Sequence, residues 1–172
     1  MKKAPEKYRI LILGGSGFLG NAIYKELCSY FKTFGTYFRP RKEFEKNQHF
    51  VNYNLKEDDI YEILKITSPD IVISALRGDF NLQTIVHQHL AEYAKENGTK
   101  IIFLSSANAF DAYSKFPSYE LDKTLSHSIY GHFKIKIENM LLRLPKKQVV
   151  IIRLPMVFGK NCPSIQELKT HI

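Results

Sequence analysis

The chain has 172 residues, of which 44% are hydrophobic and 24% charged, and its 25 basic and 17 acidic residues give a net charge of +8. These proportions are typical of a folded domain and argue against a disordered or fibrous chain. No run approaches the roughly 18 apolar residues that cross a bilayer, and basic and aromatic residues do not alternate as in a platform for single-stranded nucleic acid. We therefore expect no membrane segment and no nucleic-acid partner, whereas small anionic ligands suit the charge.

The N-terminal segment is basic, but the apolar run that follows it is short and leads into glycines, unlike a signal peptide. We expect residues 1–7 to form a flexible tail and the protein to be cytoplasmic. Cys28 and Cys162 are far apart in sequence, which favours two free thiols in a reducing compartment over the one disulfide that they could form. The histidines lack the Cys or carboxylate neighbours of a zinc site, so we predict no metal.

Short apolar runs alternate with longer amphipathic segments along the chain. The apolar runs predict β-strands at 8–13, 32–38, 49–53, 70–75, 100–105 and 148–154. The amphipathic segments predict helices at 18–31, 58–66, 82–96 and 129–144, whereas 107–128 is predicted to be irregular. Strands that alternate with helices predict a Rossmann-like, doubly wound parallel α/β sheet of about six strands, with helices on both faces.

Glycines fill the turn that follows the first predicted strand. They stand at positions 14, 17 and 20, between a strand and a helix, where glycine lets the backbone turn tightly and approach a diphosphate. The N terminus of the helix adds unpaired N–H groups and a positive dipole end. A purely structural turn is the alternative. We predict that a nucleotide cofactor binds here, through Gly14, Ser16, Gly17, Phe18, Leu19 and Gly20.

The end of the second predicted strand bears on the choice of cofactor. Sites that prefer NAD usually place an Asp or Glu here for the ribose hydroxyls, whereas this chain has Arg39, Arg41 and Lys42 before its first acid, Glu43. Arg39 is placed to pair with a 2′-phosphate, and an exposed basic loop is the alternative explanation. The pattern favours NADP(H) over NAD(H).

Tyr130 and Lys134 stand four residues apart, on one face of a predicted helix. A free Tyr titrates near pH ~10, and a neighbouring ammonium lowers the pKa of the phenol. The same ammonium can hydrogen-bond the ribose of a nicotinamide nucleotide. Ser105 and Ser106 follow the fifth predicted strand, at the edge where open α/β sheets bind ligands, and a hydroxyl there can hold a substrate carbonyl while Tyr130 delivers a proton.

The order Ser, Tyr, Lys and the spacing GxxGxxG resemble the extended short-chain dehydrogenases/reductases, the NAD-dependent epimerase/dehydratase superfamily. Three segments are similar to its dTDP-dehydrorhamnose reductase group: LSSANAFD at 104–111 (S-T-D-Y-V-F-D-G in the group), YELD at 119–122 (Y-x-E-x-D) and RLPMVFG at 153–159 (R-x-x-x-V-Y-G). Glu138 stands where the group often has Glu. The resemblance runs from about Tyr8 to Gly159 and gives Ser106 the place of the catalytic Thr.

The resemblance implies further cofactor contacts, and apart from Asn54, which replaces the usual Asp, it has two departures. The implied contacts are Asn54 and Leu55 near the adenine, Ala75 and Leu76 beside the nicotinamide ribose, and Pro155 and Val157 near the carboxamide. The first departure is the run from Ser74 to Arg77, which replaces an N-A-A-A-like turn. The second is Gln83, which stands roughly where a helix Asn supports the catalytic Lys through water.

The activity that the resemblance implies is hydride transfer to or from a carbonyl of a nucleotide-sugar-like substrate, with Ser106, Tyr130 and Lys134 as catalytic residues. Family members continue into a smaller lobe that holds the sugar nucleotide. We therefore expect 1–172 to be one Rossmann domain whose residues 160–172 begin a truncated lobe, and a differently built substrate site is the alternative.

Some relatives are non-catalytic NADP-binding subunits, among them the regulatory subunit of methionine adenosyltransferase. A regulatory or sugar-nucleotide-binding subunit is therefore the alternative function. The sequence leaves the substrate, the choice between reduction, epimerisation and dehydration, and the oligomeric state open, a homodimer being one option.

Overall fold

Six strands and five α-helices make up the computed structural model, which describes residues 8–113, 117–159 and 162. The strands are β1 (Arg9–Leu13), β2 (Lys32–Tyr37), β3 (Phe50–Asn52), β4 (Ile71–Ser74), β5 (Lys100–Ser106) and β6 (Val149–Leu154). The α-helices are α1 (Phe18–Leu27), α2 (Lys42–Glu45), α3 (Ile60–Thr67), α4 (Phe80–Asn97) and α5 (Ile129–Leu141), and Ala107–Phe110 and Lys146–Gln148 are short 3₁₀-helices. The predicted tail, 1–7, and the predicted start of a second lobe, apart from Cys162, lie outside the described residues.

All six strands are parallel and lie in the order β3-β2-β1-β4-β5-β6. The chain builds outward from β1 to β3 and then crosses to β4 on the other side of β1. This is the Rossmann-like doubly wound arrangement, so the predicted fold is confirmed. Where the strand order reverses, the connections after β1 and β4 leave in opposite directions and open a crevice at the carboxyl ends of the strands.

The side chains of β1 supply both hydrophobic cores, because successive residues of a strand point to opposite faces. Leu11 and Leu13 pack on the face that α3, α4 and α5 cover, and Ile10 and Ile12 pack on the face that α1 covers. All four are buried, and burying one such side chain contributes about 1.5–3 kcal/mol. Burial on both faces is the reason that this strand is a continuous apolar run.

Helix boundaries differ from the predicted ones where local hydrogen bonds decide them. α1 ends at Leu27, four residues before the predicted end at 31, because the N–H groups of Tyr30 and Phe31 both donate to the Leu27 carbonyl in a turn. α4 begins earlier than predicted because the carboxylate of Asp79 caps it. α2, within the basic segment after β2, was not predicted. None of the helices in the described part of the chain is long and apolar enough to cross a membrane.

Where β1 connects to α1, the backbone packs so closely that some positions have no room for a side chain. Gly14 has a φ of +77°, and a Cβ there would lie 2.6 Å from the carbonyl oxygen of Ala75. A Cβ on Gly20, in the first turn of α1, would overlap the carbonyl oxygen of Gly14. The N–H of Gly14 donates to Oγ1 of Thr36 at 2.9 Å. The turn is therefore tied to β2 and β4, and α1 begins directly at the crevice.

Gly20→Ala tests this packing. In an exposed helix interior, replacing Gly by Ala stabilises by up to about 1 kcal/mol. Here we expect the free energy of unfolding to fall by about 1–3 kcal/mol, because the new methyl group meets backbone rather than a movable side chain. Urea denaturation measures the change.

Ala22→Gly, at an exposed position of the same helix, is the control for helix propensity and should lose about 1 kcal/mol. A Gly20→Ala protein as stable as the wild type would contradict the close contact between α1 and the turn.

Candidate functional site

A cleft of about 820 Å³ opens at the carboxyl ends of the strands, where the strand order reverses. Its walls come from the turn after β1, the ends of β2 and β5, the loops after β3 and β4, the first turns of α5, and the residues after β6. All of the predicted site residues except Gly20 and Arg39 line it. They are Gly14, Ser16, Gly17, Phe18, Leu19, Asn54, Leu55, Ala75, Leu76, Ser106, Tyr130, Lys134, Pro155 and Val157.

The N terminus of α1 forms one end of the cleft. Gly17 is its N-cap residue and has no side chain that could accept a hydrogen bond from the N–H groups of the first turn, which contains no acidic residue. The positive end of the helix dipole therefore meets the cleft without a counter-charge from its own turn. This arrangement suits a phosphate group.

Arg39 lies beside this end of the cleft rather than in it. Tyr37 and Phe38 line the wall, and Arg39, the next residue, is exposed and is not part of the wall. Arg41 pairs weakly at the surface with Glu43, at 3.9 Å. The predicted phosphate contact of Arg39 therefore requires its side chain to reach into the cleft from outside the wall.

The loop after β3 closes the same end. Oδ1 of Asn54 accepts a hydrogen bond from the N–H of Lys56 at 3.1 Å, so its amide nitrogen is the group left for a ligand. Tyr53, which also lines the cleft, is buried, and its hydroxyl has no hydrogen-bond partner among the described residues. Burial, together with the charges of Asp58 and Asp59, raises the pKa of Tyr53.

β5 brings Ser106 to the other end of the cleft. Its hydroxyl donates to Oδ1 of Asn108 at 2.9 Å and accepts from the N–H of Asn108 at 3.2 Å. The second bond caps the 3₁₀-helix that follows the strand. The Ser106 side chain is therefore fixed at the rim of the sheet, with a hydroxyl hydrogen that can be redirected to a ligand.

A network of short side chains sets the direction in which α5 begins. Oγ of Ser128 accepts from the N–H of Gly131 at 3.0 Å and donates to Oδ2 of Asp111 at 2.7 Å. Asp111 also accepts from the N–H of His127 at 2.6 Å, and these bonds lower the pKa of its carboxyl. A Cβ on Gly131 would overlap Oγ of Ser126. The first turn of α5, which carries Tyr130, is thereby held against the cleft.

Tyr130 is 41% exposed and lines the cleft. Burial of the rest of the side chain raises the pKa of its phenol, and the positive charge of Arg77 and an interaction with the Ser106 hydroxyl lower it without cancelling the rise. We predicted that Lys134 lowers this pKa. The charge that lowers this pKa in the present geometry is that of Arg77, and the effect of Lys134 stays a prediction.

Lys134 is only 5% exposed, and its ammonium is turned toward the sheet. Nζ donates to the carbonyl oxygen of Leu104 at 2.9 Å and lies 4.6 Å from the centre of the Phe103 ring. It lies 5.6 Å from the centre of the Tyr130 ring. Burial lowers the pKa of Lys134 to about 8, and the negative charge of Glu138 opposes that change.

Glu138 holds α5 against β5 and β6. It is 1% exposed and forms an ion pair with Arg153. Two nitrogens of the guanidinium, Nη2 and Nε, donate to Oε2 of Glu138 at 2.8 and 3.1 Å. The hydroxyl of Ser105 donates to Oε1. Arg153 also donates to the carbonyl oxygen of Glu120 at 2.9 Å. The resemblance pointed to Glu138 and Arg153 without a role, and the structure shows that they hold α5 against the sheet.

A buried imidazole supports the loop between β4 and α4. The ring of His87 is fully buried, and its Nδ1 lies 2.6 Å from the carbonyl oxygen of Gln83. Because a carbonyl oxygen can only accept, the proton is on Nδ1, and Nε2 accepts from the hydroxyl of Ser74 at 2.8 Å. Burial and, to a smaller degree, the charge of Lys134 lower the pKa of His87 to about 4, and the bond to Gln83 opposes this.

Among the residues of the cleft wall that sequence reasoning missed, Arg77 and Phe80 lie near Tyr130. The ring of Phe80 stacks on Phe133 at 4.4 Å between centroids and lies 6.0 Å from Tyr130. Arg77 was noted only as a departure from the usual turn. The available signal was its position three residues after the end of β4, at the edge where such sheets bind ligands. Within the described part of the chain, no cluster of three His, Cys, Asp or Glu side chains could hold a metal ion.

The fold and the composition of the cleft define a Rossmann-like domain of the epimerase and reductase type within the short-chain dehydrogenases/reductases. Residues 8–167 match the family described as "RmlD substrate binding domain". The chain belongs to this family, and the predicted resemblance is confirmed.

Solved structures of low sequence identity share the fold. A hypothetical dTDP-4-dehydrorhamnose reductase from Sulfolobus tokodaii has a TM-score of 0.77 at 20% identity, over 94% of this chain and 61% of that chain. Bordetella bronchiseptica WbmG in complex with NAD has a TM-score of 0.76 at 18% identity, over 99% and 62%. The dTDP-4-dehydrorhamnose reductase of Bacillus anthracis in complex with NADP has a TM-score of 0.71 at 18% identity, over 99% and 62%.

Curated relatives include the methionine adenosyltransferase 2 subunit beta of two vertebrates. The Mus musculus protein is 29% identical over 161 residues, which cover 88% of this chain and 48% of the relative. The Xenopus laevis protein is 29% identical over 167 residues, with coverages of 88% and 47%. The chain spans about half the length of these relatives.

Lys134→Met tests the burial of the ammonium through its pH dependence. The pKa is about 8 in the folded protein against an ordinary value of 10.5, so between these values the unfolded chain holds a proton that the folded chain has lost. The stability of the wild type should therefore rise with pH in this window relative to Lys134→Met, by up to about 1.4 kcal/mol per pH unit.

Urea denaturation of both proteins at pH 7, 8, 9 and 10 measures the difference. Lys136→Met, at an exposed position of the same helix, is the control and should give a constant difference from the wild type. A constant difference for Lys134→Met as well would contradict the burial of its charge.

Proposed function

We propose that the cleft binds a nicotinamide dinucleotide and that the chain transfers hydride between this cofactor and a carbonyl or alcohol carbon of a nucleotide-sugar-like substrate. The observation that carries the proposal is one cleft whose wall contains both the glycine turn and the group Ser106, Tyr130 and Lys134. The relatives support it, because structures of the same fold are complexes with NAD or NADP and WbmG is also known with NAD and UDP.

The residues at the glycine end fit a dinucleotide. Gly14 and Gly17 bring backbone rather than side chains to the cleft, and α1 offers the uncapped N–H groups of its first turn to a diphosphate. The amide of Asn54 can hydrogen-bond an adenine. Ala75, Leu76 and Pro155 offer apolar surface to the nicotinamide ribose and ring.

The residues at the other end fit proton exchange at a carbonyl. When bound, the nicotinamide supplies or accepts the hydride. In the direction of reduction, the hydroxyl of Tyr130 gives its proton to the carbonyl oxygen as the carbon gains the hydride, so the product is an alcohol and Tyr130 is left as a phenolate. Ser106 donates to the same oxygen after turning from Asn108. The ammonium of Lys134 keeps N–H groups for the cofactor ribose beside its bond to Leu104.

A non-catalytic NADP-binding regulatory subunit is the second candidate function. Two observations favour it: curated relatives at 29% identity are named as the beta subunit of methionine adenosyltransferase 2, and burial raises the pKa of the Tyr130 phenol rather than lowering it. The presence of Ser106, Tyr130 and Lys134 in one cleft favours the enzyme. Turnover decides between the two.

Tyr130→Phe separates binding from chemistry. We expect kcat for NADPH-dependent reduction of a nucleotide-linked keto sugar to fall by about 10²–10⁴-fold, the usual contribution of a general acid, while the Kd for NADPH stays within a factor of about three. Stopped-flow absorbance at 340 nm and calorimetric titration measure the two quantities. Tyr119→Phe, at an exposed position outside the cleft, should change neither.

Unchanged turnover in Tyr130→Phe would contradict the proposed role. Tight binding of NADPH by a wild-type protein that reduces no keto sugar would instead favour the regulatory subunit.

Arg39→Ala tests the proposed preference for NADP(H). We expect the wild-type protein to bind NADPH more tightly than NADH, and the substitution to weaken NADPH binding by about tenfold or more, since a charge-assisted hydrogen bond contributes about 1.5–3 kcal/mol. The affinity for NADH should not change. Calorimetric titration of both nucleotides measures this, with Arg143→Ala at an exposed position outside the cleft as the control. Equal losses for NADPH and NADH would assign Arg39 to general electrostatics.

A further inference from the structure

Arg77 gives the middle of the cleft a positive charge that the reaction scheme above does not use. It lies in the loop between β4 and α4, where it lines the cleft, and its charge reaches the phenol of Tyr130. Its side chain is exposed. Among residues 8–113, 117–159 and 162, its guanidinium donates no hydrogen bond and joins no ion pair.

The nearby carboxylate is committed elsewhere. Asp79 is the one acidic residue among those described that line the cleft. Its Oδ1 accepts from the N–H groups of Asn81 and Leu82, at 2.8 and 2.9 Å, and so caps α4. The other cation of the wall, Lys134, is buried and donates to Leu104. Among the described residues, the wall around Arg77 therefore lacks a carboxylate that is free to neutralise it.

The loop that carries Arg77 is held from both sides. The N–H of Ala75 donates to the carbonyl oxygen of Leu13 at 2.9 Å, and the side-chain amide of Gln83, which is 2% exposed, donates to the carbonyl oxygen of Gly78 at 2.9 Å. The buried ring of His87 is hydrogen-bonded to both the Ser74 hydroxyl and the Gln83 carbonyl. The backbone of Arg77 is thus fixed, and only its side chain is free to adapt to a ligand.

We propose that Arg77 is the anion-recognition residue of this cleft and pairs with phosphate oxygens of the ligand that lies beside Tyr130. The planar guanidinium donates two parallel hydrogen bonds to a phosphate, which suits it to this role better than a lysine. The inference deepens the proposed function, on which it rests only in requiring that a phosphorylated ligand enters the cleft. The phosphate has two possible sources: the dinucleotide itself, or the diphosphate of a nucleotide-sugar-like substrate.

Calorimetric titration of the full chain distinguishes the two sources. NADPH is titrated into the wild type, Arg77→Gln and Arg77→Lys, and uridine diphosphate is then titrated into each protein saturated with NADPH and, separately, into each protein alone. We expect Arg77→Gln to lower the affinity for one of these two ligands by about tenfold or more, and Arg77→Lys to lower the same affinity less. Arg143→Gln, an exposed residue outside the cleft, is the matched control and should change neither affinity.

Each outcome of these titrations supports or overturns the inference, the proposed function, or both. A loss for NADPH assigns the phosphate to the dinucleotide, and a loss for uridine diphosphate alone assigns it to the substrate. Unchanged affinities for both ligands in Arg77→Gln overturn the inference and leave the proposed function standing. A wild type that binds uridine diphosphate through Arg77 but binds neither NADPH nor NADH overturns the proposed function and leaves the inference standing. A wild type that binds none of the three overturns both.

Discussion

The carboxylate of Glu138 is buried where α5 crosses β5 and β6, and the position of this helix depends on how that charge is balanced. Arg153 of β6 and the hydroxyl of Ser105 on β5 both donate to it. A carboxylate left alone at this depth would cost about 3–5 kcal/mol, so the three elements are fixed relative to one another. Lys134 and Tyr130 stand one and two turns earlier on the same helix, and Ser106 is the neighbour of Ser105. This buried ion pair therefore contributes to the mutual placement of the three proposed catalytic residues, together with the caps at Ser106 and Ser128, and touches none of their reacting atoms.

At the opposite end of the cleft, the glycine turn is held in place by close backbone packing rather than by an ion pair. Gly14, in the turn after β1, packs against the backbone that follows β4, and the first turn of α1 packs against Gly14. The loop between β4 and α4 is thus shared: its first residues complete the glycine end, whereas Arg77 and Phe80 stand beside Tyr130. Because this loop is fixed by backbone contacts and by Gln83, the adaptable parts of the wall are long side chains, those of Arg77 and, outside the wall, Arg39.

Most of the architecture could be predicted from the sequence, because β1, β4 and β5 are buried on both faces and so are continuous apolar runs. The glycine turn was also predictable, since a residue with positive φ beside a backbone oxygen admits little else than glycine. Three other features could not be predicted from the sequence. Helix ends depended on single caps such as Asp79. The ammonium of Lys134 donates to the carbonyl of Leu104, a contact between residues thirty positions apart that helical spacing does not reveal. Arg77 belongs to a loop, where no periodicity marks the direction of a side chain.

The buried hydrogen bond between His87 and Ser74 restricts which substitutions homologous sequences can carry at these two positions. The ring of His87 is neutral and protonated on Nδ1, and each ring nitrogen has one partner: Nε2 accepts from the Ser74 hydroxyl and Nδ1 donates to the carbonyl of Gln83. Replacing Ser74 alone by Ala would leave a buried ring nitrogen without a donor, and replacing His87 alone by Leu would leave a buried hydroxyl without an acceptor, each at about 1–3 kcal/mol. Replacing both by apolar residues of similar volume removes both penalties. The two positions, thirteen residues apart and on different elements, should therefore covary among homologues, and a lineage that exchanges one is expected to exchange the other.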